Sequence, residues 1–122
     1  MKGNYLYILT NKYKTVTYTG VTSDLKGRLL KHINKVYKGF TSKYNCHDLV
    51  YFEKQQSMED AIRREKEVKK WGKRKKKALI ESFNPEWEFL NDQVLNSSME
   101  TTEMNNNIVV IPTKGRNLQD QT

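Results

Sequence analysis

The hydrophobic and polar positions divide the chain into short elements of two periods. Asn4 to Thr10 alternates Tyr5, Tyr7 and Leu9 with Leu6 and Ile8, the two-residue repeat of a strand that sets the two groups on opposite faces. Thr15 to Val21 is rich in Val, Thr and Tyr and reads as a second strand, joined to the first through Asn11 to Lys14 as an antiparallel hairpin. Gly20 sits at the end of that strand, where a missing side chain suits a close backbone approach or a bulge. From Asp24 to Val36 the period changes: Leu25, Leu29, Ile33 and Val36 follow helical spacing behind Ser23 or Asp24 as the N-cap.

Leu49 to Phe52 is a short apolar run that predicts a third strand. Ser57-Met58-Glu59-Asp60 resembles a capping box and opens a helix with an inward stripe through Met58, Ala61, Ile62 and Val68. A further helix, Lys73 to Phe83, follows a bend at Trp71-Gly72 and stops before Pro85. The expected fold is therefore α+β, a small antiparallel three-stranded sheet flanked by helices in the order β-β-α-β-α-α. Residues 1–90 form this domain. Residues 91–122 turn to Asn, Ser, Thr, Met and Gln without a period and are expected to be a polar, flexible tail. Ile108 to Ile111 is its one apolar run, suited to adding a strand at a sheet edge or to touching a partner.

Charge changes the picture from fold to partner. Residues 1–90 carry 20 Lys and Arg against 10 Asp and Glu, and residues 91–122 carry 2 against 4, so the positive field belongs to the folded part. Such a field attracts polyanions by releasing their condensed counterions, with nucleic acid ahead of an anionic membrane. Arg63 to Lys77 holds ten basic and two acidic residues. They are too many to be matched by acids, so Lys69, Lys70, Lys73, Arg74, Lys75, Lys76 and Lys77 are candidate phosphate contacts. With Cys46 as the single cysteine, neither an intramolecular disulfide nor a cysteine-rich zinc site can form. Without a secretory leader or an apolar run of 18 residues, the expectation is a cytoplasmic protein with no membrane partner.

Single residues leave the chemistry open. Glu65 falls between Ala61, Ile62 and Val68 at 100° per residue. A carboxylate there must be paired, protonated or metal-bound, and Arg64 and Lys69 are near enough in sequence to pair with it. Tyr7 and Tyr18 face each other across the hairpin, and Arg28 and His32 stand one turn apart on a helix. Each also has a structural reading, as strand tyrosines or as surface helix residues, and Asn84 before Pro85 reads equally as a helix stop. No zinc motif, P-loop or Ser-His-Asp spacing suggests another reaction class.

Taken together these segments resemble the GIY-YIG endonuclease family, in the short stand-alone bacterial branch similar to the N-terminal nuclease domain of the ABC excinuclease. Tyr5-Leu6-Tyr7 takes the place of the first signature and Tyr18-Thr19-Gly20 that of the second, with Tyr5 where the family name has Gly and Thr19 where it has Ile. The runs VTSDLKGRLLKH, FTSKYN, AIRREKEVKKW and ALIESFNPEW extend the likeness over about residues 4 to 90. The resemblance implies a metal-dependent endonuclease that hydrolyses DNA phosphodiesters, in repair or recombination; low sequence specificity is expected because one sheet and a basic helix contact mostly phosphates. The resemblance also implies Glu65 as sole protein ligand of Mg²⁺ or Mn²⁺, Tyr7 as general base or water-orienting group, Tyr18 as its support, Arg28 on the phosphorane charge, His32 in proton transfer or phosphate contact, and Asn84 at the rim. DNA is the expected partner, structured or single-stranded as well as duplex, with RNA as a further possibility. The alternative is a non-catalytic DNA- or RNA-binding module that retains the fold.

Overall fold

A computed structural model describes residues 2–96, 99–104 and 107–112. Strands β1 (Lys2–Thr10), β2 (Thr17–Asp24) and β3 (Asp48–Gln55) form the expected antiparallel sheet, with β1 in the centre. The hairpin of β4 (Met99–Met104) and β5 (Asn107–Pro112) prolongs it at the β3 edge, giving the order β2-β1-β3-β5-β4. Ile108 pairs with Lys54 of β3, so the apolar run in the C-terminal segment lies within β5, the strand added beside β3 and itself flanked by β4. The expectation of a flexible tail, as far as it concerns residues 113–122, lies outside the described residues.

Among the described residues five helices connect or flank the strands: α1 (Leu25–Ile33), α2 (Phe40–Lys43), α3 (Met58–Lys69), α4 (Lys73–Phe83) and α5 (Asn91–Asn96). Local chemistry explains their starts. The Asp24 carboxylate accepts the Gly27 N–H at 3.2 Å, and the Ser57 hydroxyl accepts the Asp60 N–H at 3.1 Å, each satisfying a donor that the helix leaves unpaired. Helix α1 stops at Ile33, three residues before the expected end, because Lys35 takes a left-handed φ of 55°. Val36 is consequently exposed rather than inward. Helix α2 and helix α5 are too short for their period to be read from sequence.

The sheet has an apolar layer on each side, as the alternation in β1 requires. Tyr5, Tyr7 and Leu9 pack with Leu25 and Leu29 of α1, Phe52 of β3 and Val94 of α5. On the other face Leu6 and Ile8 pack with Val50, Tyr51, Val68 of α3 and Ile80 of α4. The fold thus continues past the compositional change at Leu90. Asn91 accepts the Leu49 N–H at 2.7 Å and donates to the His47 carbonyl at 2.8 Å, tying the start of α5 to β3.

Two expectations for α3 need correction. Ile62 is 39% exposed, not part of the inward stripe. Glu65 is half-buried rather than in the core, and among the described residues the buried acid is Glu53, at 1% exposure. Its carboxylate accepts from Tyr51 Oη at 2.5 Å, Gln55 Nε2 at 2.6 Å and Arg64 Nε and Nη2 at 2.9 and 3.3 Å. Tyr51, Glu53 and Gln55 share one face of β3 by the two-residue period, and Arg64 reaches across from α3 to close the network.

Candidate active site

The sheet face covered by α1 brings four of the expected site residues together. Tyr7 is central on β1 and buried, and its register partner on β2 is Gly20. A Cβ at Gly20 would lie 2.7 Å from the Tyr7 phenol oxygen and 2.8 Å from its Cζ, so the ring rests on bare backbone. Tyr18, two residues earlier on the same face of β2, approaches Tyr7 with ring centroids 6.3 Å apart. The capped start of α1 follows β2 directly, and the period of 3.6 sets Arg28 and His32 one turn apart beside the two tyrosines.

His32 is the hub. Its Nε2 lies 2.9 Å from Tyr7 Oη and its Nδ1 3.3 Å from the Thr41 hydroxyl of α2. Its ring also meets those of Tyr18 and Tyr37, at 5.6 and 4.8 Å between centroids. Burial, and then the positive charge of Arg28, push the imidazole pKa down to about 4, so the ring is neutral at pH 7. Burial is also the main reason that the Tyr7 phenol titrates far above its ordinary range. The Tyr18 phenol adds to that rise and Arg28 opposes it. In the tautomer protonated on Nδ1, Tyr7 donates to Nε2 while Nδ1–H donates to Thr41.

Arg28 is half-buried, with its guanidinium carbon 5.4 Å from the centre of the Tyr37 ring. No ion pair to an acid engages it among the described residues. Its charge is therefore available to an anion, and a planar guanidinium suits phosphate in a bidentate grip.

Glu65 and Asn84 stand apart from this hydrogen-bonded group. Glu65 belongs to α3, whose Val68 packs on the sheet face opposite Tyr7. Its side chain is 18% exposed, and Oε2 lies 3.0 Å from Lys69 Nζ. The carboxylate is thus ion-paired within its own helix. Arg64 turns to β3 to meet Glu53, and Glu65, the next residue of the helix, points about 100° away from it. Asn84 is buried and caps α4, donating both amide hydrogens at 2.9 Å, to the carbonyls of Val50 and Glu88, and accepting the Glu88 N–H at 2.9 Å. These bonds hold the turn after α4 against β3.

Among the described residues no group of three or more His, Cys, Asp and Glu is arranged to hold a metal. The fit is to a different kind of ion: a lone carboxylate suits a hard divalent cation that keeps most of its water and takes its other ligands from phosphate. At Glu65 the Lys69 ammonium already occupies the place of a positive charge, which such an ion would take over.

Of the ten basic residues between Arg63 and Lys77, Arg63, Arg64, Lys69 and Lys77 have acidic partners. Lys73, Lys76 and Lys77 of α4 line a groove of about 790 Å³ with Lys14, Thr15 and Thr17 of the β1-β2 hairpin and with Trp87. Lys75 lies 4.5 Å from the Trp71 ring centre and Arg64 5.4 Å, so Trp71 packs between cations. Sequence reasoning missed Thr41, Tyr37 and Glu53. The alternation of Tyr51, Glu53 and Gln55 on one strand face was the available signal for Glu53; for Thr41 and Tyr37 no periodic signal exists.

A half-buried arginine and a neutral Tyr-His pair thus lie together on a β-hairpin and the helix that follows it. The chain belongs to the GIY-YIG family, since the model of the GIY-YIG catalytic domain matches residues 3–78. Within that family it is similar to small UPF0213 proteins. It is 34% identical over 80 residues to one from Staphylococcus saprophyticus, covering 66% of this chain and 96% of that one. A second, from Syntrophus aciditrophicus, is 36% identical over 87 residues, covering 70% and 98%. The solution structure of the UPF0213 protein BH0048 from Bacillus halodurans aligns at 33% identity and a TM-score of 0.47, covering 78% of this chain and 98% of that one. Family membership makes this a nuclease-type domain directed at nucleic acid. Among the described residues no helix is long and apolar enough to cross a membrane.

Proposed function

We propose that the protein is a metal-assisted endonuclease that hydrolyses DNA phosphodiesters with little sequence specificity, inside the cell and in a repair or recombination setting. The observation that carries this reading is the contact of Tyr7 Oη with a neutral His32 Nε2 at 2.9 Å beside Arg28. A phenol with a raised pKa does not ionise by itself at neutral pH. It needs an acceptor, and an unprotonated imidazole is one.

In this mechanism the attacking water passes its proton to Tyr7 Oη as Tyr7 gives its own to His32 Nε2. Oxygen bonds to phosphorus, the bond from phosphorus to the 3′ oxygen breaks, the 3′ oxygen takes a proton from solvent while His32 returns its own to solvent, and the strand leaves with a 5′ phosphate and a 3′ hydroxyl. Thr41 holds the imidazole in the tautomer whose Nε2 accepts. Arg28 matches the negative charge that develops on the phosphoryl oxygens, and Tyr18 keeps the Tyr7 ring in place over Gly20. Glu65 would hold Mg²⁺ or Mn²⁺, which when bound supplies charge stabilisation to the phosphate and the leaving oxygen. Lys73 and Lys76 contact flanking phosphates.

The Glu65–Lys69 pair favours a second reading, a nucleic-acid-binding module without cleavage. Nicking of supercoiled plasmid with Mg²⁺ or Mn²⁺ separates the two. The endonuclease reading expects Tyr7→Phe and Glu65→Ala each to abolish nicking while plasmid binding persists. Equal nicking by wild type and both variants would identify a contaminant and end the proposal.

A further inference from the structure

The aromatic residues around His32 do not stop at the buried cluster. From Tyr18 the ring contacts run outward to Phe40 at 6.2 Å between centroids, and from Phe40 to Tyr44 at 4.8 Å. Phe40 is 46% exposed and Tyr44 42%, so the last two rings lie on the surface. Packing does not account for them, because α2, which carries Phe40, buries only Thr41. Gly39, with φ at 108° and nothing within 4 Å of a virtual Cβ, makes the turn that presents Phe40. Only glycine adopts that backbone angle without strain.

The charge around these rings is one-sided. Between Leu25 and His47 the chain has six Lys and Arg and no Asp or Glu. Lys43 Nζ lies 5.3 Å from the Tyr44 ring centre, Lys35 donates to the Asn45 side chain at 2.8 Å, and Lys38 sits between Tyr37 and Gly39. An exposed aromatic pair in an acid-free basic segment is the composition that binds unpaired bases, with lysines tracking phosphates while rings stack on base faces. A duplex hides those faces inside its stack, so the rings have nothing to meet there.

We propose that Phe40 and Tyr44, with Lys35, Lys38 and Lys43, form a platform for the unpaired bases of a DNA strand that runs into the Tyr7-His32 site. This names the substrate class of that site and rests on its reading as nucleic-acid-directed, although not on cleavage. Two exposed rings, tilted by 48° against each other, offer faces to two bases, so the protein favours single-stranded or flapped DNA over continuous duplex.

The test is fluorescence anisotropy in EDTA, where no cleavage occurs, using labelled dT20, a 20-base-pair duplex, an abasic 20-mer and rU20 with the full chain. Wild type is expected to bind dT20 more tightly than the duplex and the abasic strand. Phe40→Ala with Tyr44→Ala is expected to weaken dT20 binding by about 10-fold or more, to leave duplex binding within about 2-fold of wild type, and to keep the wild-type circular dichroism spectrum. Phe40→Tyr with Tyr44→Phe keeps both rings and is expected to retain dT20 binding. The proposal is overturned if the alanine pair binds dT20 as wild type does, if it loses duplex and dT20 binding equally, or if the abasic strand binds as well as dT20. Tighter binding of rU20 than of dT20 would overturn the assignment to DNA. Because binding is read without metal, failure of the platform leaves the plasmid-nicking test of cleavage untouched, and the reverse holds too.

Discussion

Substitution of His32 by Gln tests whether the imidazole is held neutral by the fold, on which the proton acceptance by Nε2 depends. In the folded protein, burial first and the charge of Arg28 second push the imidazole from its ordinary value of 6.5 down to about 4. In the unfolded chain it returns to the ordinary value. Between those two pH values the unfolded state therefore binds the extra proton, so stability falls as pH drops through the window and rises as pH increases. The loss is absent above about pH 7, is about 2 kcal/mol at pH 5, and levels off near 3 kcal/mol below pH 4, at about 1.36 kcal/mol per pH unit. Gln offers polar atoms to Tyr7 and Thr41 but does not titrate. Urea unfolding of wild type and variant at pH 5 and pH 8 should show wild type losing about 2 kcal/mol more than His32→Gln across that interval. Contributions from other groups, such as the half-buried Asp48, whose pKa burial raises, cancel in the comparison. Equal pH dependence of the two proteins would mean that His32 protonates freely in the fold, and the neutral acceptor would be lost.

Further outcomes follow from particular contacts. Gly20→Ala sets a Cβ 2.7 Å from the Tyr7 phenol oxygen and 3.0 Å from Tyr18 Cε2; it should cost about 1–3 kcal/mol and abolish nicking, and a variant with wild-type stability and nicking would show that the seat of Tyr7 is unimportant. Arg64→Met strands the Glu53 carboxylate, and since the arginine side chain is itself 21% exposed the loss should be near the lower end of the range for a broken buried pair, about 3 kcal/mol by urea unfolding. Adding Glu53→Gln should recover part of that loss, whereas an unchanged or larger loss would mean that the buried carboxylate charge is not what the arginine offsets. Lys73→Ala with Lys76→Ala should shallow the log-log salt dependence of DNA binding by about 1.8, at about 0.9 per phosphate contact; an unchanged slope would remove the α4 groove from the interface.

Features that depend on near neighbours were legible in the residues alone. The two-residue alternation of β1 already assigned Tyr7 and Leu6 to opposite faces. Asp24 and Ser57 marked helix starts through bonds spanning three residues, and the spacing of Arg28 and His32 put them on one helical flank. The family signatures carried Tyr7 and Tyr18 to the same place. The C-terminal helix and hairpin were less legible, because α5 has six residues and the Met99–Met104 strand has no apolar alternation.

Which of these groups touch is a property of the folded chain. Tyr7 meets His32 across 25 residues of chain and Glu53 meets Arg64 across 11, distances over which no sequence period operates. The helical wheel correctly placed Glu65 near Ala61 and Val68, but it could not see that Lys69 would cover its carboxylate or that Arg64 would find a buried partner on β3. The wheel reports direction about one axis, and the distance and angle between that helix and the sheet decide whether a direction ends in solvent, in a pair or in the core. The same holds for Phe40 and Tyr44, whose exposure is set by the Gly39 turn and by the short helix it begins.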